Sequence, residues 1–144
     1  MSTTENKEKA RRVVEAINAD DMGVIDELFA DDYVGRYSAL TEAYHGPEGV
    51  KEFVSRFLTA FPDAEWTVED VISEGDKVVR RDRISGTHEG EFMGIEPTGK
   101  KIEMEGIGIL RVEDGQFVES WGQADTVGLV QQLGVFEPPE RRHD

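Results

Sequence analysis

The sequence predicts an α+β domain in which helices come first and a curved antiparallel sheet wraps around them. Three observations carry this. Up to about Phe61 the apolar residues recur at three- and four-residue spacing, and from Ala64 onward the pattern changes to period two. The pairs Gly75-Asp76 and Asp114-Gly115 fall between alternating runs, where hairpin turns belong. With 144 residues the chain fits one domain, 1–144, with an ordered core over about 5–134 and a polar tail over 135–144.

The elements follow in order. Ala10, Val13, Val14 and Ile17 give an amphipathic helix over about Glu5 to Asn18, with Thr3 or Thr4 to cap it. Val24, Ile25, Leu28 and Phe29 give a short second helix from about Met22, with Asp20 and Asp21 as natural caps. Asp31 to Tyr44 shows no period and reads as an aromatic-rich connection. Its tyrosines Tyr33, Tyr37 and Tyr44 either close over a core or line a pocket. Pro47 starts a third helix whose stripe of Val50, Phe53, Val54, Phe57, Leu58 and Phe61 makes it the main core helix. Strands are expected over Ala64 to Ser73, Lys77 to His88, Lys101 to Val112 and Gln116 to Asp125, with a glycine-punctuated loop from Glu89 to Lys100. Thr126 is placed to cap a last helix that Gly134 ends.

Composition narrows the function. There is no cysteine, which removes disulfides, thiolate metal sites and cysteine nucleophiles. No apolar run is long enough to span a bilayer and the first residues lack a signal-peptide core, so a cytoplasmic location is expected. The 31 acidic against 16 basic residues, a formal charge of -15, argue against nucleic-acid or membrane partners. Such acidity fits either a halophilic cytoplasm or an ordinary acidic protein, and stability measured from low to molar salt separates the two. No metal-ligand spacing or phosphate-binding glycine loop occurs, so neither metal nor cofactor is expected.

The run GTHEGEFMGIEPTGKK, the strand ending in LRVEDGQFVESW and the closing DTVGLVQQLG resemble the SnoaL-like polyketide cyclases of the nuclear transport factor 2-like superfamily. The resemblance implies a cone-shaped fold, commonly dimeric, with a deep pocket between sheet and helices. It also implies ring closure by intramolecular aldol condensation without metal or cofactor. In those cyclases an aspartate acts as acid and base while a histidine, a glutamine and an asparagine position substrate. Carried over residue by residue, these four positions fall at Gly122, at Gly106 and Gly108, and at Gly35. Glycine supplies no base, donor or charge.

If Gly106, Gly108 and Gly122 face the pocket, period two places Ile102, Met104, Leu110, Val118, Ser120 and Ala124 with them. The opposite face then carries Glu103, Glu105, Ile107, Ile109 and Arg111 beside Phe117, Glu119, Trp121 and Gln123. Mixed large apolar and charged groups suit a homodimer interface. His88, ending the GTH motif, and Asp125, before the closing helix, are the candidate acid–base groups; each has a structural alternative, in pinning the loop and in capping the helix. Tyr33, Tyr37, Phe57, Arg81, Phe92, Met104, Leu110 and Trp121 are the candidate small-molecule contacts, with Arg81 placed for an anionic group. Two functions stand: a cofactor-free cyclase, isomerase or hydrolase acting on a compact apolar substrate, or a non-catalytic ligand-binding or assembly module.

Overall fold

The computed structural model describes residues 3–134; the expected tail and His143 lie outside them. Helix α1 (Thr3–Asn18) buries Ala10, Val13, Val14 and Ile17 on one face, as their spacing requires. Its cap position precedes Thr3 and lies outside the described residues. The chain turns at Asp20, whose φ of 57° is a left-handed conformation that Asp tolerates better than most residues. Helix α2 (Gly23–Leu28) follows. Neither Asp20 nor Asp21 caps it through a side chain: Met22 occupies the N-cap without a side-chain bond, and Asp21 offers only its carbonyl, to Val24.

The connection expected over Asp31 to Tyr44 is largely a strand. β1 (Phe29–Tyr37) has no visible period because its register shifts between Phe29 and Val34, so its inward residues do not alternate strictly. It lies parallel to β6, which corrects the expectation of a purely antiparallel sheet. A two-residue strand, β2 (Tyr44–His45), then leads into α3 (Gly46–Ala60), with Pro47 in its first turn. β3 (Glu65–Glu74), β4 (Lys77–Thr87), β5 (Lys101–Glu113) and β6 (Gln116–Ala124) form the predicted meander. The six strands run in the order β2-β1-β6-β5-β4-β3. The helices cover one face of this curved sheet.

Along β5 the inward set is as expected: Ile102, Met104, Leu110 and Val112 are buried while Ile107 and Ile109 are exposed. On β6 the parity breaks. Arg111 pairs with Glu119 but Val112 pairs with Phe117, which leaves Val118 as an extra residue and turns Phe117 into the core, opposite to the strict alternation expected. Two apolar clusters result, one beneath α1 and α2 around Phe29, Tyr33 and Phe117, the other at the end of α3 around Phe61, Met104 and Leu129.

Three interlocks hold helices to strands. Asn18 at the end of α1 exchanges two hydrogen bonds with the backbone of Trp66, at 2.8 and 2.9 Å. At the end of α3 the Ala60 carbonyl accepts from the amides of Glu89 and Gly90, both at 3.0 Å, while Asp63 accepts from the amide and hydroxyl of Thr87 at 2.6 and 2.7 Å. Gly90 is required there, since a Cβ would lie 2.1 Å from the Thr59 carbonyl oxygen. The last helix, α4 (Thr126–Gln132), docks through Gln132, which exchanges hydrogen bonds with the Glu103 backbone at 2.8 and 2.7 Å where β5 extends past the end of β6.

Thr126 is the first residue of α4 rather than its cap. Asp125 is the cap, accepting from the Gly128 amide at 2.9 Å, because its shorter-range carboxylate reaches the third residue of the turn. Replacing Asp125 by Ala is therefore expected to cost about 1 kcal/mol of stability, read by denaturant unfolding; an unchanged midpoint rejects the capping role. The hydroxyl and then the amide of Thr87 hold the Asp63 carboxyl below its ordinary value. A lowered folded-state value stabilises above the ordinary aspartate range, and that stabilisation fades as pH falls through the lowered value. Asp63→Ala should thus melt below the parent protein at neutral pH, with the gap closing in strong acid; a gap independent of pH counts against this account.

Candidate functional site

A cavity of about 990 Å³ opens between α3, the connection from Tyr37 to Tyr44, and the loop carrying Glu91, Phe92 and Met93. The spacing of α3 puts Phe53 and Phe57 on the same side as the cavity, while Val50 and Val54 turn into the core. Its walls are largely aromatic: Tyr44 stacks on Phe53 with centroids 5.1 Å apart, and Tyr37 meets the same ring edge-on at 5.2 Å. Phe57 continues the row to Phe61, Trp66 and Phe92. Polar groups sit at the rim, where Arg56 pairs with Glu52.

Of the expected contact residues, Tyr37, Phe57, Phe92 and Met104 stand on this cavity. The other four do not. Tyr33 is buried against Tyr44 and Phe29, with its hydroxyl hydrogen-bonded to Ser120. Burial pushes its phenol far above the ordinary range. Leu110 belongs to the core beneath α1. Arg81 lies on the outer face, where it donates twice to Asp70, at 2.8 and 2.6 Å. Trp121 is outward too, 38% exposed, with the Arg36 guanidinium 6.0 Å from its ring centre.

The two candidate acid–base groups are not brought together on the cavity wall. His88 is 0% exposed and packs at a tilt against Phe61, with ring centres 5.4 Å apart. Its Nδ1 accepts from the Thr98 amide at 3.1 Å and lies 3.0 Å from the Thr98 hydroxyl, while its backbone pairs with Gly99 and Lys100. Nε2 has no partner among the described residues. Thus the GTH and PTG motifs bind each other, fixing both ends of the loop from Glu89 to Lys100. Asp125 is exposed and caps α4.

The glycines differ in their surroundings. A Cβ on Gly35 would lie 2.2 Å from the Tyr44 ring, and one on Gly122 would lie 3.3 Å from the Tyr37 ring. Tyrosines therefore cover these two. Over Gly106 and Gly108 the nearest atoms to a Cβ belong to the neighbouring strand β6, at 3.4 Å or more, so no ring covers these two as the tyrosines cover Gly35 and Gly122.

An inward charged pair on β4 does not figure among the expected site residues. Since Val78 and Ile84 face inward on β4, parity puts Arg80 and Asp82 inside as well, and Arg81 and Arg83 outside. Arg80 Nε donates to both Asp82 oxygens, at 3.0 and 2.9 Å, and its Nη1 donates to the Ala10 carbonyl at 3.0 Å. Burial pushes the Asp82 carboxyl above its ordinary value, opposed by the charge and hydrogen bonds of Arg80. The alternation that found the β5 face would have found this pair. Among the described residues no cluster of three His, Asp or Glu is arranged to hold a metal ion, and no helix is long and apolar enough to cross a membrane.

Comparison with known proteins fits this architecture. The model of the SnoaL-like polyketide cyclase family matches residues 7–133. Aklanonic acid methyl ester cyclase DauD of Streptomyces sp. (strain C5) is 28% identical over 93% of this chain and 91% of its own length. Among solved structures, AclR of Streptomyces galilaeus, proposed to be a hydroxylase, superposes with a TM-score of 0.85 at 28% identity, covering 97% of this chain and 91% of AclR. IdmH of Streptomyces antibioticus, proposed to be a polyketide cyclase, gives 0.78 at 36% identity, covering 89% of this chain and 97% of IdmH. By sequence along nearly its whole length and by fold, the chain belongs to the SnoaL-like polyketide cyclase family.

Proposed function

We propose that the protein binds a compact, largely apolar, ketone-bearing molecule of polyketide type in the cavity beside α3 and closes a ring in it without a cofactor. The observation that carries this reading is the aromatic cavity itself, large enough for a small fused-ring molecule and walled by Tyr37, Tyr44, Phe53, Phe57, Phe92 and Met104. Flat aromatic walls suit a flat ligand, and the half-buried Tyr37 phenol, which desolvation raises above its ordinary value, stays a hydrogen-bond donor at neutral pH. In this reading the family's polar positions are glycine at 35, 106, 108 and 122, and Tyr44 and Tyr37 rings occupy the first and last of these places. The same glycines support the second reading, a binding module without chemistry.

Aklanonic acid methyl ester, the molecule in the names of the cyclase relatives, is the first probe. Saturable binding followed by loss of the open-chain ester is the expected result, and no saturable binding up to its solubility limit sinks the proposal. Binding without turnover selects the second reading. Phe53→Ala removes the ring on which Tyr44 stacks and should weaken binding about tenfold, a loss of roughly 1.4 kcal/mol. His88→Ala should lower thermal stability through the loop, with any loss of turnover following the unfolded fraction.

We also propose a homodimer through the outer sheet face, where Ile107 is 51% exposed and Ile109 and Trp121 are each 38% exposed. Charged groups ring them, including Arg36, Arg111 and Glu119, in the pattern of an apolar centre with a polar rim. Sedimentation should give twice the chain mass at low and high salt, and Ile109→Glu should give the monomer. A monomeric parent protein at both salts rejects the dimer.

A further inference from the structure

On the inner face of the sheet, three of the glycines at the family's positions leave a shallow floor beside residues that the family resemblance does not point to. That floor is Gly106 and Gly108 of β5 with Gly122 and Ala124 of β6, paired Gly106 with Ala124 and Gly108 with Gly122. The nearest atoms to a Cβ placed on either β5 glycine belong to β6, at 3.4 Å or more. On the other flank β4 sets Asp82 opposite Gly106 and Arg80 opposite Gly108, so each charged residue starts about 5 Å from a glycine. Across the floor the Tyr37 ring stands over Gly122. Tyr37 and Met104, two residues along β5 from Gly106, also line the aromatic cavity, so floor and cavity share a boundary.

Two charged groups inside a fold are costly, and structural service alone explains only part of this pair. Arg80 ties α1 to the sheet through Ala10, but Asp82 has only Arg80 as a hydrogen-bonding partner among the described residues. Both side chains keep some accessible surface, 16% for Arg80 and 11% for Asp82, although both point inward. The surface left on these inward side chains is what a molecule lying over the β5 glycines would meet.

Resting on the cyclase reading, we propose that Asp82 and Arg80 form the acid–base pair of this protein, serving the carbonyl end of the substrate over the glycine floor. The Asp82 carboxylate removes a proton from the carbon between two carbonyl groups, and the C–H electron pair becomes the enolate. The Arg80 guanidinium holds the enolate oxygen. The enolate carbon bonds to a second carbonyl carbon of the same molecule, whose C=O π pair moves to oxygen, and Asp82 returns the proton to that alkoxide. Atoms, charge and electrons balance, and no co-reactant enters. Burial raises the Asp82 carboxyl and so strengthens it as a base, opposed by the charge and hydrogen bonds of Arg80. The pair does from β4 what Gly106 and Gly108 of the adjoining strand lack side chains to do.

The test uses the intact protein and aklanonic acid methyl ester, with exchange of the acidic C–H protons for deuterium followed by NMR and binding followed separately. Asp82→Asn should slow exchange and ring closure at least 100-fold while changing Kd less than about threefold. Gly108→Val, which fills the space over the floor and leaves the pair intact, should weaken binding at least tenfold. In the parent protein, ligand should shift the 13C resonance of the Asp82 carboxyl, a readout that survives if Asp82→Asn does not fold. Exchange at the parent rate in folded Asp82→Asn, unchanged binding in Gly108→Val, or an unmoved Asp82 resonance each overturns the assignment while leaving the cavity reading in place. An ester that binds without any exchange also removes Asp82 as a base and leaves the binding module; an ester that does not bind removes the cavity reading itself, and this assignment with it.

Discussion

The site depends on the interlock at the end of α3. A helix laid across a curved sheet must stand far enough off to leave a cavity and must still be fixed, and its last carbonyls need partners. Ala60 gives its carbonyl to the amides of Glu89 and Gly90, Asp63 takes the end of β4 through Thr87, and Phe61 packs on His88. The same contacts thus set both walls of the cavity, the helix bearing Phe53 and Phe57 and the loop bearing Phe92. Because the Phe61 ring and the His88 side chain are fully buried there, the spacing between the walls is a matter of core packing, which is stiff, rather than of loop conformation.

This gives the recognisable motifs their meaning. GTH, GEFMGI, PTG and QQLG are the stretches by which the chain resembles its family, and in the structure each makes a joint. His88 receives Thr98, Gly90 passes beneath Thr59, Met93 and Gly94 with positive φ turn the chain between Phe92 and Ile95, and Gln132 continues the β5 ladder. Such joints need particular residues at particular spacings, so they stand out in a sequence. Pocket-lining residues need only be apolar and of suitable size, and they leave no such mark.

The fold was therefore legible where periodicity speaks and obscure where backbone irregularities intervene. The four strands of the meander were read to within about two residues, but β1 was not, because one register shift in nine residues erases alternation. The bulge at Val118 misplaced Phe117 for the same reason. The site was less legible. Phe57 and Met104 were legible on the apolar face of a helix and a strand, and Tyr37 and Phe92 as aromatic residues in connections, whereas Arg81 and Trp121 were drawn by chemistry and by likeness to relatives although strand parity had already placed Trp121 outside. Asp82 does not figure among the expected site residues, since an RRDR stretch suggests solvent until Val78 and Ile84 are seen to fix its phase.

Glycine is where sequence and structure complement each other best. A glycine within a strand weakens it, and four on or near one concave surface call for a cause. Gly35 and Gly122 are accounted for by the tyrosine rings lying on them, which leave little or no room for a side chain on the strand. Gly106 and Gly108 have no such occupant. Space without a covering side chain, beside an inward Arg–Asp pair and sharing a boundary with an aromatic cavity, is what a bound molecule would account for. On the concave face the charged pair stands on β4, directly beside the β5 glycines. A search for function that stops at the family's positions would pass over the only buried ion pair among the described residues of that face.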